Sequence, residues 1–320
     1  MNTRRTALVA GAAGIALYVL LPFRVSDYWL SVLNLAAIAA IGASGLNVLT
    51  GYCGQLSLGH AVFLGTGAYV CASVNLPFPL LIGSAAIAGG LLGLALTPFA
   101  VRLRTHTLAI ATLALVFIGQ HVFQRWTSVT GGNAGRSGLP HPALPGSADQ
   151  GWFWLLVPLV AATVALVAWL ARGRLGREMA AVRADEQAAA VVGVDVVRTK
   201  AAALVISGAL AAVAGALYGA YKGYVGPEDW GLLVSIQYLA MILIGSIGTV
   251  YGPVVGALFV TALPRLVDQV AAAHAAPQVS QIAVGLLIVG AARLHGVNRA
   301  DVTARRRRES TRPCAEQPQL

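Results

Sequence analysis

Polar side chains gather between two apolar runs near residue 50. Gln55, Ser57 and His60 follow a turn bounded by Gly51 and Gly54. Polar groups and free backbone at the end of an apolar segment need water, protein or a ligand as partners. Glycine in addition lets the backbone approach a ligand closely. These residue types can therefore line a path for a polar solute.

Other kinds of chemistry have no matching motif in the sequence. The chain lacks both the G-x-x-x-x-G-K-[ST] loop that binds nucleotide phosphates and a His-Glu-x-x-His or comparable metal cluster. The three cysteines, Cys53, Cys71 and Cys314, are odd in number and far apart, so they indicate neither a disulfide framework nor a metal site. We therefore predict no catalytic residue, no metal and no cofactor bound by this chain.

The elements that must position the polar groups are apolar helices. The chain is 57% hydrophobic and 11% charged, whereas soluble domains carry about 25% charged residues. An apolar stretch of about 18 residues or more can cross a bilayer, and in hydrocarbon only a helix or a closed barrel satisfies its own backbone. The predicted spans are 6–23, 28–50, 56–74, 78–100, 107–124, 152–171, 201–221, 232–250, 253–270 and 278–293.

We therefore expect an all-α membrane protein, a polytopic bundle of about ten transmembrane or partly re-entrant helices. Spans 56–74 and 253–270 open on glycine-rich sequence, so either could be re-entrant or broken. The predicted domains are a transmembrane domain, 1–303, and a disordered basic tail, 304–320.

The distribution of Lys and Arg predicts the orientation. If the N-terminus lies inside, most of the 22 bases fall on the cytoplasmic side; the exceptions are Arg24, Arg125, Arg136, Lys222 and Arg265. Cytoplasmic loops carry the excess of Lys and Arg, so both termini are predicted to be cytoplasmic. The net charge of +10 does not indicate nucleic-acid binding, because the bases lie in short loops and one tail without interleaved aromatic residues.

Small residues recur four apart in several spans. The rows are Ser57–Ala61–Gly65, Ser207–Ala211–Gly215–Gly219, Gly248–Gly252–Gly256 and Gly89–Gly93. Such rows predict close helix packing. A substrate path or a broken helix is the alternative, and it is favoured only for the first and third rows, which adjoin polar, turn-like sequence.

The segment around the polar turn forms a long motif, Thr50-Gly51-x-x-Gly54-Gln55-x-Ser57-Leu58-Gly59-His60-Ala61-x-Phe63-x-Gly65-x-Gly67-Ala68-Tyr69. With this motif the chain resembles LivM-type permeases, one of the two membrane subunits of ABC importers for branched-chain amino acids. Segments 128–135, 176–193 and 244–257 agree in the same order, and the resemblance covers residues 30–295. Ser246 departs from the family pattern, which has glycine more often at that position.

We expect two groups of functional residues. Glycine density beside polar groups leads us to place a translocation path near Gly51, Gln55, Ser57, Gly59, His60, Gly65, Gly248, Gly252 and Gly256. Segment 176–200 mixes charged and apolar residues, which predicts a short amphipathic helix ending near Gly193. Glu186-x-Ala188-Ala189 is similar to the motif that couples importers to their ATPase. The coupling residues are then Arg177, Arg183, Glu186, Ala189 and Gly193; a solvated loop that only sets topology is the alternative.

The resemblance implies a permease subunit that imports branched-chain amino acids by alternating access in the bacterial cytoplasmic membrane. The implied partners are a second, LivH-like permease subunit, two cytoplasmic ATPase subunits that bind ATP, and a periplasmic or extracellular substrate-binding protein. Loop 125–150 is a candidate surface for the binding protein. An ABC permease for urea or an aromatic acid, a stand-alone secondary carrier, and a structural or signalling component remain as alternatives. The carrier is disfavoured because no span carries Asp or Glu near its middle.

Overall fold

Helices, most of them apolar, make up most of the described residues in the computed structural model of this chain. The structure describes residues 22–74, 76–103, 105–142 and 146–271, with side chains except at 105–106 and 267–271. The chain divides into two compact units, 1–262 and 263–320. Of the second unit, the described part is 263–271, the last residues of a helix.

The elements follow one another along the chain with short connections. Their order is α1 (Asp27–Leu46), a π-helix (Asn47–Tyr52), α2 (His60–Ser73), α3 (Phe78–Arg102), α4 (Thr105–Arg125), α5 (Thr127–Thr130), a 3-10 turn (Gly132–Ala134), β1 (Arg136–Ser137), α6 (Ala148–Arg172), α7 (Arg174–Ala184), α8 (Glu186–Val191), α9 (Val196–Lys222), β2 (Tyr224–Val225), a 3-10 turn (Pro227–Trp230), α10 (Leu232–Ile244) and α11 (Gly252–Ala271).

The predicted all-α membrane fold is confirmed. Among the described residues, five helices are long and apolar enough to cross a membrane; they are α1 with the π-helix, α3, α4, α6 and α9. The apolar helices α10 and α11 are shorter within the searched residues. Predicted helices 6–23 (except Pro22 and Phe23) and 278–293, and the tail 304–320, lie outside the described residues.

Several predicted helix boundaries were wrong, each for a local reason. Span 56–74 begins only at His60, because residues 53–59 form an irregular segment. Span 232–250 ends at Ile244, and residues 245–251 form turns. Span 152–171 begins earlier, at Ala148, because Ser147 and Gln150 form a capping box.

The amphipathic segment is also divided differently from the prediction. It forms two helices, α7 and α8, which meet at Asp185. The Asp185 carboxylate accepts hydrogen bonds from the backbone N–H groups of Gln187 (2.8 Å) and Ala188 (3.0 Å), and so starts a second helix. Asp195 caps α9 in the same way, accepting from the Arg198 N–H at 3.0 Å.

Helix α9 is the central element, and small residues let its neighbours approach it. A Cβ atom placed on Gly215 would overlap the backbone carbonyl of Leu64, and one on Gly67 that of Ala212. Gly89 and Gly208 meet in the same way where α3 crosses α9. The close packing predicted for the rows that contain Gly89 and Gly215 is therefore confirmed, as expected where lipid provides no hydrophobic drive between helices.

The remaining long helices lie at the periphery. Their buried share is 28% for α3, 28% for α4 and 22% for α6, against 83% for α1 with the π-helix and 61% for α9. Their exposed side chains are large and apolar; examples are Ile87, Leu91, Ile110, Phe117 and Trp169. Such surfaces suit lipid or other membrane helices rather than water.

The bundle has two distinct ends. At the α7–α8 end, a separate apolar cluster joins Leu49, Ala100, Leu108, Val182 and Ala203. At the β1–β2 end, the strands pair Arg136 with Val225 and Ser137 with Tyr224. The segments that hold Arg102 and the bases from 172 to 200 therefore share one end, as the orientation prediction requires. Which side of a membrane this end faces stays a prediction.

Candidate functional site

The glycine-rich turn after α1 is a region where regular helix gives way. The π-helix ends at Tyr52, and Gly54 has a positive φ of 77°. The Thr50 hydroxyl donates to the Gln55 carbonyl at 3.0 Å and the Gln55 N–H donates to the Leu49 carbonyl at 3.1 Å, so the turn is closed internally. A π-helical stretch inside a helix often marks a functional position.

A second glycine-rich turn, residues 245–251, lies directly against the first. Buried Asn47 bridges the two turns: its amide NH2 donates to the Thr249 carbonyl at 2.8 Å, and its amide oxygen accepts from the Gly248 N–H at 2.9 Å. A Cβ atom on Gly51 would lie 2.8 Å from the Gly248 nitrogen. The two interrupted spans therefore meet through backbone, which requires glycine at the contact.

Arg183 of α7 completes this contact. Its guanidinium donates to the Gly51 carbonyl, and a Cβ atom on Gly248 would lie 2.9 Å from its Nη1. Its side-chain stem lies against Gly54, where a Cβ atom would be 2.7 Å from Cγ. We call the group of Asn47, Gly51, Gly54, Arg183 and Gly248 the glycine junction.

The junction unites parts of both predicted groups of residues. Gly51 and Gly248 come from the predicted translocation path, and Arg183 comes from the predicted coupling segment. Asn47 was in neither predicted group. Its signal was available, because it is a polar amide inside the apolar span 28–50, where an unpaired polar group is costly.

Gln55, Ser57 and Gly59 form the irregular approach to α2. Gln55 is 2% exposed, and within the described part of the chain neither its amide oxygen nor its amide nitrogen has a hydrogen-bond partner. The Ser57 hydroxyl accepts from the Gly59 N–H at 3.2 Å. Ser57 also lines an apolar cavity of about 300 Å³ between α3 and α4, and a Cβ atom on Gly59 would meet Thr112 of α4 at 3.2 Å.

The other predicted path residues lie apart from the junction. Buried His60 donates from Nε2 to the Gly42 carbonyl at 2.9 Å, and its ring lies 5.3 Å from that of Tyr238. Gly65 contacts the rings of Phe123 and Trp230. These two residues therefore support the aromatic side chains of the neighbouring elements.

Gly252 and Gly256 make close backbone contacts with the end of α10. A Cβ atom on Gly252 would overlap the Gly245 carbonyl, and one on Gly256 the Met241 carbonyl. The structure thus divides the predicted path residues among the junction, the approach to α2, the aromatic region and a helix crossing. A role for them in translocation stays a prediction.

The remaining predicted coupling residues lie on α7 and α8. Exposed Arg177 donates to the Arg172 carbonyl at 3.1 Å, and Ala189 is buried. Gly193 follows α8 with a φ of 86°, the left-handed conformation that glycine adopts readily. Between them, Val191 and Val192 are 88% and 76% exposed. This apolar tip is typical of a protein contact surface.

Glu186 joins α8 to α9 through a deeply buried base. The Lys200 ammonium lies 2.7 Å from the Glu186 carboxylate, and the two side chains are 2% and 46% exposed. In the sequence, Lys200 contributed only to the predicted orientation. An ammonium group in this position depends on its partner, because an unpaired buried charge is costly.

We predict that the Glu186→Ala variant loses about 1–3 kcal/mol of stability, because Lys200 would stay buried without a partner. Adding Lys200→Met should regain most of this loss, since an apolar side chain of similar length needs no ion pair. Thermal unfolding of the purified chain measures both. Glu178→Ala, which breaks the ion pair with exposed Arg174, is the control and should cost about 0.5 kcal/mol or less. A double variant no more stable than Glu186→Ala would contradict the prediction.

Ser246 occupies a backbone conformation that favours glycine. Its φ is 80°, and among the described residues it is the one non-glycine with a positive φ. We predict that Ser246→Gly raises stability by about 1 kcal/mol, because the left-handed conformation strains residues that carry a Cβ atom. Ser84→Gly, inside α3, is the control and should lower stability by about 0.5–1 kcal/mol. If the two changes had equal effects on the unfolding temperature, the backbone of Ser246 would not be strained as we infer.

Within the described residues, no group of three or more His, Cys, Asp or Glu side chains is placed to hold a metal ion. Cys53 and Cys71 are buried and unpaired. The main feature of the site is a set of contacts between helices. The pair α7 and α8, with its exposed apolar tip, contacts the two interrupted spans at Gly51 and Gly248 and also contacts the central helix α9.

Comparison with known proteins gives a consistent set of relatives. Residues 28–292 match the family described as branched-chain amino acid transport system, permease component. The chain is 33% identical to the high-affinity branched-chain amino acid transport system permease protein LivM of Escherichia coli K12, over 76% of this chain and 64% of that protein. It is 32% identical to LivM of Salmonella typhimurium, over 74% of this chain and 63% of that protein.

More distant relatives share a shorter region. The autoinducer 2 import system permease protein LsrC of Salmonella typhi is 30% identical over 48% of this chain and 45% of that protein. No solved structure matches the chain. The chain spans a little under two thirds of the length of the LivM proteins that it matches.

Proposed function

Since this chain belongs to the family of permease components of branched-chain amino acid transport systems, we propose that it is the membrane-spanning permease subunit of an ATP-driven importer for branched-chain amino acids. We propose a transporter subunit rather than an enzyme. ATP would be bound by partner subunits, and this chain would supply half of the membrane path. The substrate comes from the names of the LivM relatives, and no single residue here specifies an aliphatic side chain.

The observation that carries the proposal is the glycine junction. An importer must turn the closure of ATPase subunits into a change in the membrane, so its permease needs a contact between a docking segment and a part of the bundle that can change shape. Arg183 makes such a contact with Gly51, while Glu186 holds Lys200. Movement of α7 and α8 would act on the interrupted spans and on α9 at once.

The mechanism that follows is alternating access driven by differential binding. An ATPase subunit would dock on the α7–α8 end, where exposed Val191 and Val192 suit an apolar groove. The partners can shift the permease between two states only as far as they bind one state more tightly than the other. The turns at Gly51 and Gly248 are the parts of the spans best able to rearrange, because they lack regular helix.

The proposed setting follows the orientation of the bases. The α7–α8 end and both termini would face the cytoplasm of a bacterial cell, with the bundle in the inner membrane. A second permease subunit and two ATPase subunits would complete the complex. A periplasmic or extracellular substrate-binding protein would dock on the β1–β2 end. There Arg136 fixes the external loop by donating to the Ala72 carbonyl at 2.9 Å and the Ser128 carbonyl at 3.3 Å.

Uptake by the reconstituted complex tests the proposal. Labelled leucine and labelled urea would be offered to proteoliposomes that contain the permease pair, the ATPase subunits and the binding protein. We expect leucine uptake that requires both ATP and the binding protein. The matched control replaces the ATPase subunits with variants that bind ATP without hydrolysing it, and uptake should stop.

Other outcomes distinguish the alternatives. Uptake of urea without leucine would overturn the substrate and keep the architecture. Leucine uptake by this chain alone, without ATPase or binding protein, would indicate a secondary carrier. No transport of either solute by the complete complex would favour a structural or signalling role.

A further inference from the structure

A cavity of about 200 Å³ lies near the β1–β2 end, away from the glycine junction. It is lined by α1, the last turns of α9, the 3-10 turn at Pro227–Trp230, α10 and Thr261. Pockets for drug-sized ligands occupy about 300–1,000 Å³, so this cavity suits a ligand no larger than an amino acid. Half-buried Asp229 and exposed Gln237 are part of its lining, so the cavity opens to the outside of the subunit.

Asp229 brings an uncompensated negative charge into this cavity. One carboxylate oxygen, Oδ2, accepts from the Gly226 N–H at 2.9 Å. The rings of Tyr218, Trp230 and Tyr238 line the same cavity. Among the described residues, no Lys, Arg or His forms an ion pair with it. A half-buried carboxylate surrounded by aromatic rings favours a cation, which the ring faces also attract.

Trp230, the next residue after Asp229, contributes a hydrogen-bond donor rather than a negative charge. The residue is 3% exposed, and its indole N–H is buried without a hydrogen-bond partner among the residues that the structure describes. Its ring is held in place by Tyr218, at a centroid distance of 5.5 Å and nearly perpendicular, and by close contact with Gly65. A buried donor without an acceptor costs free energy, so an anionic group of a ligand that reached this N–H would satisfy it.

The rest of the lining is mainly apolar. Leu35 and Ile38 of α1, Val234 of α10 and Met241 of α10 contribute aliphatic or thioether side chains. The cavity thus combines a carboxylate, an unused N–H donor and an apolar wall. These match the ammonium, the carboxylate and the side chain of an aliphatic amino acid.

We propose that this cavity binds the zwitterion of an aliphatic amino acid, with the ammonium group at Asp229, the carboxylate at the Trp230 indole N–H and the side chain against Leu35, Ile38 and Met241. This inference rests on the proposed function and adds a binding site within the membrane subunit itself. The site lies at the end of the bundle where the binding protein would release its ligand. Its two polar contacts favour solutes that carry both charges over solutes that lack one of them.

The test measures binding to the purified full-length chain in nanodiscs, using ligands that each keep part of the zwitterion. The ligands are L-leucine, 3-methylbutylamine, which lacks the carboxylate, and 4-methylpentanoate, which lacks the amine. The variants are Asp229→Asn, which can still accept from the Gly226 N–H, and Trp230→Phe, which keeps an aromatic ring. Glu228→Gln, at the exposed acid one residue earlier, is the matched control.

We expect millimolar leucine to bind to the wild-type chain and to Glu228→Gln equally. Asp229→Asn should weaken the binding of leucine and of 3-methylbutylamine by about tenfold or more, because a hydrogen bond to a charged group is lost. Trp230→Phe should weaken leucine and 4-methylpentanoate to a similar extent and leave 3-methylbutylamine unchanged. Unaltered unfolding temperatures would establish that the variants keep the fold.

The proposal is overturned if the wild-type chain does not bind leucine, or if both variants bind it as the wild type does. Such a result would leave the proposed function intact if the complete complex still takes up leucine with ATP. Conversely, a complex that does not transport leucine would refute the proposed function, while the binding measurement would still decide the site.

Discussion

Replacing Gly215 with alanine is expected to destabilise the folded protein strongly. The added Cβ atom would overlap the backbone carbonyl of Leu64 where α2 crosses α9. Backbone cannot move aside as a flexible side chain can, so the two helices must separate along their contact. We expect a loss of about 3 kcal/mol or more, a large part of the roughly 5–15 kcal/mol that stabilises a typical fold. The readouts are the yield of monodisperse protein in detergent and its thermal unfolding.

Gly83→Ala is the matched control for this prediction. Gly83 is also inside an apolar helix, but a Cβ atom there would meet nothing within 4 Å. Alanine should be tolerated and even stabilise α3 slightly, because glycine in a helix interior costs about 0.5–1 kcal/mol relative to alanine. Equal yields and unfolding temperatures for the two variants would show that α2 and α9 do not cross as described.

Arg183→Ala is expected to reduce coupled uptake severely while the chain stays folded. The guanidinium is the link from α7 to the Gly51 carbonyl, and it also lies beside Gly248. A hydrogen bond from a charged donor contributes about 1.5–3 kcal/mol, which corresponds to roughly a tenfold to hundredfold loss in uptake. The Asn47 bridge between the two turns would remain, so the fold should survive.

The informative measurement is the number of ATP molecules hydrolysed for each leucine transported. ATP hydrolysis should continue in Arg183→Ala while transport falls, so this ratio should rise. Arg174→Ala removes another exposed arginine of α7, one that pairs with Glu178 and has no contact with the glycine turns, and its ratio should match the wild type. A parallel fall in hydrolysis and transport in Arg183→Ala would indicate lost docking rather than lost transmission, and would contradict the assigned role.

Much of the fold could be predicted from the sequence because membrane spans depend mainly on one physical effect, the transfer of apolar side chains from water into lipid. Long apolar runs such as 78–100 and 107–124 were located correctly, since burial in lipid leaves no alternative to a helix. Small residues at Gly89 and Gly215 likewise predicted close packing, although not which helices would meet. Partner choice depends on three-dimensional geometry that spacing alone does not contain.

The junction could be predicted only in part. Glycine density beside polar residues pointed to the turns at Gly51 and Gly248, and the resemblance pointed to the coupling segment. Nothing in the spacing predicted that Arg183 and Asn47 would join them, because these contacts span more than 130 positions along the chain. The same holds for Asp229 and Trp230, which read as ordinary loop residues until the structure places them against α1 and α10.

The unbroken length of α9 has a mechanical consequence. Its 27 residues contain no proline and reach about 40 Å at a rise of 1.5 Å per residue, so the helix behaves as a stiff rod. A tilt of about 5° about the Lys200 end would displace the Tyr218 end by roughly 2 Å, enough to break a hydrogen bond. A small displacement at the Lys200 end of α9 could therefore form or break a polar contact at the Tyr218 end. Linkage works in both directions, so a solute held beside Tyr218 would in turn resist or assist that displacement.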